Sequence, residues 1–510
     1  MANTANRIIK NTSYLYIKMG ITMFISLYTT RLILNSLGAS DFGIFNIVGG
    51  AIAMLGFLSA TMASATQRFM SYTEGQGDNE KKKSIFNISL IIHFFTALFI
   101  GLLLIVAGYF FFNGILNISP NRIFAAKVVY GSLILSTIFT IMSVPYDAVL
   151  NSHENMLYYS IIGIIESFLK LAVASVCAYA NSDRLILYGI LMACIPFIIL
   201  TIMRIYCHKK YSECTIRPHK YWNLTLFKEM ISFAGWNSFN TAASMISAYG
   251  QGILLNNFFG TILNASQGIA GQLNGQMQAF ANNMLKAINP IFGKSAGANN
   301  KKLLERSAII GAKYSCAMYS ILAIPMFIAA PYILFLWLRN IPEYGLIFVR
   351  CQILKSWIEM SFSTLPSCIT ANGKIKKYVV FSSLTNILQL PVLFLLFYLG
   401  LPPYSIYFVS ILFGNILVYV VALYITHKLS IINPTTFLKE ATLPSLIISF
   451  IVFICMYYFY KILSPNSLLT LLLFIICSFI FYICIFIGIS MKKEEKIYFK
   501  SALTKFIHKQ

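Results

Sequence analysis

Long apolar stretches dominate the chain and determine its predicted secondary structure. Windows of about 20 residues, the length of a helix that crosses a bilayer core, recur almost without interruption from Asn11 to Met491. These runs are continuous rather than alternating, which favours helices over the strands of a membrane barrel. The pattern predicts an all-α polytopic membrane protein with fourteen spans, at residues 13–34, 42–66, 85–112, 124–146, 157–180, 184–206, 231–256, 262–285, 308–337, 345–369, 377–399, 404–427, 441–463 and 467–490.

Composition and charge support a membrane protein and predict its orientation. Hydrophobic residues make up 58% of the 510 residues and charged residues only 11%, which excludes a soluble protein of several domains. The net charge of +23 is unevenly placed: with the N-terminus inside, thirty of the 39 Lys and Arg residues fall on the inner side and seven on the outer. This asymmetry follows the positive-inside rule, so the charge reflects topology rather than a nucleic-acid partner. Both termini are predicted to be cytoplasmic.

The order of spans predicts two related halves and a terminal pair. We predict an N-lobe at 1–206, a cytoplasmic loop at 207–230, a C-lobe at 231–428, a terminal helix pair at 429–491 and an amphipathic tail at 492–510 that lies on the inner leaflet. In each lobe the first span ends in Leu-Asn, followed three or four residues later by Gly. The separation from Asn35 to Gly50 equals that from Asn256 to Gly271. Repeated halves are typical of transporters, although Gly and Asn can also recur independently at helix ends.

The eighth span is unusually polar for a membrane helix. Nine Asn or Gln residues lie between Asn264 and Pro290, a polarity that a lipid-facing helix would not tolerate. At 100° per residue they form two stripes. We predict that the stripe with Asn274, Gln278 and Asn282 lines a water-filled passage and contacts cargo. The other stripe contains Gln272, Gln276 and Asn283 and is predicted to bond to a neighbouring helix; alternatively, all these amides join helices.

Two ionisable pairs lie near the middle of spans, each four residues apart. They are Glu166 with Lys170 in the fifth span and Lys355 with Glu359 in the tenth. A charge facing lipid would cost about 2.5–3.5 kcal/mol or more, so all four side chains are expected to face protein or water. One interpretation is that Lys170 or Lys355 exchanges its partner for an anionic substrate, as Arg31 could also do, while Glu166 or Glu359 binds a coupling ion. The other interpretation is that each pair is structural.

Motifs for enzymatic chemistry and for cofactors are missing from the sequence. It contains no GxSxG, HExxH, P-loop or GxGxxG motif in a suitable context, and no predicted loop is large enough for a catalytic domain. Cys207 and Cys214, with His208 and His219 nearby, do not have the spacing of a zinc site. We therefore predict transport rather than catalysis, with no cofactor and no metal.

Several stretches resemble a known family of transporters. They are LNSLGASDFGIFNIVGGAIAMLGFLSATMASATQRF across the first two spans, VPYDAVLNSHENM after the fourth, FAGWNSF in the seventh, NASQGIAGQLNGQMQAFANNMLKAINPIFGKSAG in the eighth and LWLRNIPEY after the ninth. Together they resemble bacterial O-antigen and exopolysaccharide flippases of the multidrug/oligosaccharidyl-lipid/polysaccharide exporter (MOP) superfamily, which also contains the MATE-type exporters. The resemblance runs from about Asn6 to at least Gly373.

The resemblance implies two six-helix lobes around a cavity, with the last two spans beside it. It implies transport of an undecaprenyl-pyrophosphate-linked oligosaccharide to the outer leaflet of the bacterial cytoplasmic membrane, for lipopolysaccharide or other surface polysaccharide. Polysaccharide polymerase and glycosyltransferases would be partners, and protons or sodium could drive export. Three alternatives stay open: a MATE-type multidrug antiporter, a lipid II flippase, and a polytopic polymerase or ligase.

Overall fold

Helices account for nearly all of the described chain. The structure, a computed structural model, describes residues 2–53, 56–115, 119–338, 341–465 and 467–491, and these residues form helices and short connections without a strand. The predicted all-α architecture is thereby confirmed. The predicted amphipathic tail at 492–510 lies outside the described residues.

The helices follow the predicted spans closely. The first half contains α1 (Ala2–Ala53), α2 (Gly56–Gln76), α3 (Asn79–Phe110), α4 (Ile123–Ser152), α5 (Met156–Tyr179), α6 (Arg184–Lys210) and the short α7 (Pro218–Tyr221). The second half contains α8 (Leu224–Phe259), α9 (Thr261–Gly297), α10 (Lys301–Ile328), α11 (Ala330–Leu338), α12 (Gly345–Phe362), α13 (Thr364–Asn372), α14 (Lys376–Tyr398), α15 (Ser405–Val409), α16 (Val418–Lys428), α17 (Pro434–Phe437), α18 (Leu443–Leu463) and α19 (Leu468–Ile485). Short π-helical segments extend or join some of them, at Phe111–Ile115, Ser410–Leu417, Leu438–Thr442 and Phe486–Ser490.

Polarity separates the spans into two groups. Among the described residues, ten helical segments are long and apolar enough to cross a membrane on composition alone. The predicted spans outside this group are the second, which is divided between the end of α1 and the start of α2, and the seventh, eighth and tenth, which lie largely on α8, α9 and α12. A helix too polar for lipid needs protein or water on its polar side. These four spans are therefore the strongest candidates to line a site.

The chain folds into two compact units. The N-terminal unit comprises Asn11–Ser238, and the C-terminal unit comprises the chain from Phe239 onward together with the start of α1 up to Lys10, so one division falls inside α8. The predicted division was the loop at 207–230. The first turns of α8 extend the N-terminal unit because they pack on α2: the Ser238 and Thr61 hydroxyls are 2.8 Å apart, and the Phe233 and Phe69 rings meet edge to face.

Two glycines make equivalent bends at the predicted repeat junctions. Gly38 interrupts α1 with φ 77° and ψ 166°, and Gly260 separates α8 from α9 with φ 84° and ψ 179°. This region of φ/ψ space is essentially restricted to glycine. The two positions follow Asn35 and Asn256, the residues that ended the first span of each proposed repeat. The two bends share one backbone geometry, and the relation between the halves stays a prediction.

A salt-bridge cluster fixes the chain next to the first bend. Arg122, in the short turn before α4, binds the carboxylate of Asp41, three residues beyond Gly38, and its Nη1 donates to Asp183 Oδ2 at 2.7 Å. Asp183 also caps α6, because its Oδ1 accepts from the backbone N–H groups of Leu185 and Ile186. One guanidinium thus joins α1, α4 and α6 within the N-terminal unit.

The terminal helix pair is part of the core of the C-terminal unit. Side chains of α18 and α19 pack with Tyr319 of α10 in one apolar cluster. A buried polar chain crosses it: Trp357 Nε1 donates to Ser320 Oγ at 2.7 Å, Ser449 Oγ donates to Ser320 at 2.9 Å, and the Tyr482 hydroxyl lies 3.2 Å from Ser449. Buried polar groups must be paired, so this series of hydrogen bonds fixes how α10, α12, α18 and α19 pack.

A largely buried ion cluster joins four segments at the predicted inner side of the N-terminal unit. His153 Nδ1 lies 3.3 Å from Glu74 Oε1, and His153 Nε2 lies 2.5 Å from Glu213 Oε1. Lys82 Nζ donates to Glu74 Oε2 at 2.8 Å. Because both ring nitrogens face carboxylate acceptors, the imidazole must carry both protons. The cluster therefore contains two cations and two anions.

Burial and hydrogen bonding oppose each other in setting the pKa values of this cluster. Burial acts to lower the pKa of His153, but its bonds to Glu213 and Glu74 outweigh burial and raise this pKa to about 9. Burial acts to raise the pKa of Glu74, and the bonds from His153 and Lys82 lower it to about 2. The pKa of Glu213 is lowered in the same way by His153, against the effect of burial.

We predict that the stability contributed by His153 is pH-dependent. Its folded-state pKa is above its unfolded value of about 6.5, so the contribution is complete below pH 6.5 and is lost as the pH rises through about 9. The Glu74 contribution is complete above about pH 4.5 and is lost as the pH falls towards about 2. His153→Gln should therefore lower the free energy of unfolding in detergent most near pH 6, by roughly 1–3 kcal/mol, and converge with wild type near pH 10. The measurement is the thermal midpoint of both proteins as a function of pH.

The control for this prediction is His427→Gln, which changes an exposed histidine. Its midpoint should follow that of the wild type at every pH. Parallel curves for His153→Gln and wild type from pH 6 to pH 10 would show that the imidazolium does not contribute as described.

We predict that the two junction glycines tolerate no side chain without strain. A Cβ at Gly38 or Gly260 would meet nothing within 4 Å, so the cost comes from the positive φ alone. Gly38→Ala and Gly260→Ala should each destabilise the protein by about 1–3 kcal/mol. Gly268→Ala is the matched control, since Gly268 is helical and its Cβ would also meet open space. Equal thermal midpoints for all three variants would contradict the backbone argument.

Candidate functional site

A polar cavity of about 480 Å³ lies within the C-terminal unit. It is bounded by α8, α9, α12, α14 and the segment from Ser410 into α16, and its volume is in the range of ligand sites. Amide and hydroxyl side chains form most of its wall, namely Asn240, Ser244, Ser247, Gln251, Asn282, Ser363, Ser382, Asn386, Gln389, Ser410 and Asn415. Lys355 and Glu359 are its charged residues, and Tyr378 and Tyr419 add aromatic rings.

The wall on α8 and α14 was not predicted from the sequence. On α8 the polar residues Asn240, Ser244, Ser247 and Gln251 recur at intervals of four, three and four residues, which places them on one helical face. On α14 the corresponding positions are Ser382, Asn386 and Gln389. This periodic signal is present in the seventh and eleventh spans, where it is weaker than the dense amides of the eighth.

Hydrogen bonds join these two polar faces along their length. Gln251 Nε2 donates to Gln389 Oε1 at 2.9 Å, Asn386 Nδ2 donates to Ser244 Oγ at 3.1 Å, and Ser382 Oγ donates to Asn240 Oδ1 at 2.6 Å. Each amide has further donor and acceptor positions, so pairing across the helices does not use its full capacity. The wall is thus held in place and can still bind a polar ligand.

The two charged residues of the cavity have different surroundings. Glu359 Oε2 accepts a hydrogen bond from Gln278 Nε2 at 3.2 Å, and the charge of Lys355 acts on it through space. The described residues place no carboxylate within 4 Å of the Lys355 ammonium group. The tenth span therefore presents a cation on the cavity wall rather than the close i,i+4 pair that the spacing predicted.

The predicted cargo stripe of α9 is divided by the structure. Asn282 is exposed and lines the cavity, whereas Gln278 bonds to Ser356 and Glu359 on α12. Asn274 is only 4% exposed, because the hydroxyl of Tyr319 on α10 donates to its Oδ1 at 2.7 Å. Asn274 thus makes the interhelical contact that the sequence pattern assigned to the other stripe.

The exposed face of α9 is different from a surface that meets lipid. None of its exposed positions among the described side chains carries a large apolar group; they are Gly268, Gly271, Gln272, Gly275, Gln276, Ala279 and Asn282. On α3, by contrast, the exposed residues are large and apolar, as shown by Phe94, Phe95, Leu98, Phe99, Leu102 and Ile105. Polar groups without partners are costly in hydrocarbon, so the α9 face fits a water-filled space and the α3 face fits acyl chains.

The remaining predicted site residues belong to the N-terminal unit and do not line this cavity. Lys170 Nζ and Glu166 Oε1 form the expected ion pair at 2.6 Å, with side chains 43% and 40% exposed. Arg31 is exposed on α1. Lys18, whose ammonium group lies 4.2 Å from the centre of the Tyr159 ring, is a further cation inside the first span. Among the described residues, no group of three or more His, Cys, Asp or Glu side chains is placed to hold a metal ion.

Comparison with known proteins identifies the fold. No protein-family model matches the chain, and no curated protein matches it. The crystal structure of a mutant MATE protein matches with a TM-score of 0.71 and 13% identity, over 84% of this chain and 97% of its own. An outward-facing multidrug resistance MATE family transporter of the MOP superfamily matches with a TM-score of 0.70 and 13% identity, over 85% and 97%.

A third solved structure adds a transporter of a different character. It is a MOP superfamily transporter from Pyrococcus furiosus Vc1, described by the reverse polarity of its binding pocket, which suggests a different function; the TM-score is 0.66 at 13% identity, over 84% of this chain and 96% of its own. Identities this low establish a shared fold and nothing finer. The chain is thus a polytopic membrane protein with the fold of the MATE transporters of the MOP superfamily.

Proposed function

We propose that the protein is a flippase for lipid-linked oligosaccharides. In this proposal it moves undecaprenyl-pyrophosphate-linked sugar units across the bacterial cytoplasmic membrane by alternating access, for the synthesis of surface polysaccharide. The observation that carries the proposal is the cavity wall of the C-terminal unit, which is built from amides and hydroxyls with a single Lys and a single Glu. Neither an enzymatic step nor a cofactor is part of the proposal.

The chemistry of the wall matches that of a sugar chain. Each sugar hydroxyl both donates and accepts, and so do the amide and hydroxyl side chains that line the cavity. Tyr378 supplies a flat apolar surface of the kind on which a sugar ring can lie, with a polar hydroxyl at one end. Tyr419 is buried and stacked on Phe362, so it supports the wall from behind. A wall of this type binds neutral polar cargo without fixing a strong charge preference.

Lys355 fits the charged end of such a cargo. A pyrophosphate in a cavity of low dielectric needs a cationic partner, and charge-assisted hydrogen bonds are the strong ones. Lys355 reaches the cavity without a carboxylate bonded to it, so binding an anion there would not first require breaking an ion pair. Glu359, bonded to Gln278, is the position at which a proton or sodium ion could couple to transport.

A multidrug cation antiporter is the second candidate, because the multidrug MATE transporter shares the fold and because Glu359 could attract a cation. A cavity for cationic drugs would be expected to have an excess of negative charge, and here the Lys355 ammonium offsets the Glu359 carboxylate.

A lipid II flippase would share the anionic lipid cargo and differ in the sugar. Loss of that activity would stop cell-wall growth, whereas loss of surface polysaccharide would not.

We predict that Lys355→Ala reduces polysaccharide export. In a strain without its chromosomal copy, surface polysaccharide should fall about ten- to a hundredfold at equal protein level, because one charge-assisted contact is removed. Lys355→Arg should restore part of it, and Lys428→Ala, which removes an exposed lysine of α16, should have no effect. Wild-type polysaccharide from Lys355→Ala would exclude this lysine as the anion contact. Normal polysaccharide combined with drug sensitivity for Glu359→Gln would favour the antiporter.

We predict that water reaches the cavity at Asn282 and does not reach Asn274. In a variant whose ten native cysteines are replaced, Asn282→Cys should react with a membrane-impermeant maleimide. Asn274→Cys should be protected, since Asn274 is 4% exposed and packs against Tyr319. Protection of both positions would mean that α9 has no wet face, and the sugar-binding proposal would lose its main support.

A further inference from the structure

A second pocket lies in the N-terminal unit, apart from the cavity described above. It has a volume of about 300 Å³ and is walled by α3, α4 and α6. Most of the wall is apolar, with Leu90, Ile91, Phe94 and Phe95 on α3 and Leu200 on α6, and one cation, Arg204, stands on the wall. The pocket is therefore amphipathic, with hydrocarbon surface below a single guanidinium.

A fixed loop closes one end of this pocket. Asn87 Nδ2 donates to the carbonyl oxygen of Thr215 at 2.8 Å, and the Arg217 N–H donates to Asn87 Oδ1 at 2.8 Å. These bonds hold Ile216, which is 44% exposed, against the pocket together with Pro218. The amide of Asn87 is thus committed to the loop, and the closed end is built by specific contacts rather than by a chance gap between helices.

Arg204 has the position and surroundings of an anion contact. It lies six residues before Lys210, the last residue of α6, which places it about 9 Å from that helix end. The described residues give its guanidinium no carboxylate within 4 Å, and its near charged or polar neighbours include His208 and Tyr146. Lys209 and Lys210 are exposed on the same helix end. The predicted topology puts this end at the inner leaflet, where anionic lipid headgroups lie.

We propose that this pocket binds one anionic phospholipid of the inner leaflet. Its phosphate would accept hydrogen bonds from Arg204, and an acyl chain would lie along Leu90, Phe94 and Leu200. The guanidinium of Arg204 and the apolar wall fit the two parts of such a lipid at once. Free phosphate would use the cation and leave the apolar wall without a role. A helix about 10 Å across is too wide for a pocket of about 300 Å³, which can hold a phosphate group and part of one acyl chain.

The test uses the purified full-length protein in detergent, with phosphatidylglycerol, phosphatidylcholine and inorganic phosphate as separate ligands. Phosphatidylglycerol should raise the thermal midpoint by several degrees and should be retained as a single bound lipid in native mass spectra. Arg204→Ala should bind it at least about tenfold more weakly. Arg204→Lys should keep part of the phosphatidylglycerol binding. Leu200→Trp should abolish this binding, because the larger side chain fills the pocket while Arg204 stays in place.

Lys209→Ala is the matched control, because it removes a cation from the same helix end without touching the pocket. It should bind phosphatidylglycerol like the wild type. Equal effects of the two phospholipids, or an unchanged phosphatidylglycerol shift in Arg204→Ala or Leu200→Trp, would show annular lipid only and overturn the proposal. An equal shift with inorganic phosphate would also overturn it, since the apolar wall would then have no role.

Discussion

The structure depends on one constraint: a polar side chain inside the membrane must meet another polar group or water. The penalty for leaving an amide unpaired in hydrocarbon is several kcal/mol, comparable with a large part of the stability of a protein. Several polar side chains of α8, α9, α12 and α14 satisfy this requirement by bonding to a neighbouring helix, and others, such as Asn282, are exposed to water. The cavity of the C-terminal unit results from that pairing, because its wall is where four polar faces converge.

The same constraint explains how the two charged positions of the tenth span differ from those of the fifth. Glu166 and Lys170 are partly exposed and bind each other directly. Glu359 instead has Gln278 as a partner on the neighbouring helix. Because Gln278 holds the Glu359 carboxylate, the Lys355 ammonium is left on the cavity wall. Equal sequence spacing therefore produces two different electrostatic environments. Which environment arises depends on the helix packed beside the pair.

The number and order of helices could be predicted because hydrophobic length is a local property of the sequence. The junction glycines were also visible, since Gly38 and Gly260 stand at matching places after Asn35 and Asn256. The partners of polar residues were less predictable. Helical periodicity gives the direction of Asn274, Gln278 and Asn282. It does not show that Tyr319 packs against Asn274 or that Asn282 is exposed. That information belongs to tertiary packing, as do the hydrogen bonds between α8 and α14.

Glycine and amide residues together give α9 a property that neither would give alone. A glycine removes apolar surface, and an amide adds hydrogen-bonding capacity, so a face made of both is poorly suited to lipid and well suited to a hydrated ligand. Gly271, Gln272, Gly275 and Gln276 extend that face beyond the cavity reached by Asn282. A sugar chain can move along a long, uncharged and polar surface of this kind, because each hydrogen bond from a sugar hydroxyl is replaced by a similar one at the next position. A drug cation held by a single carboxylate would gain nothing from such a surface, and this is the strongest physical reason to prefer the oligosaccharide.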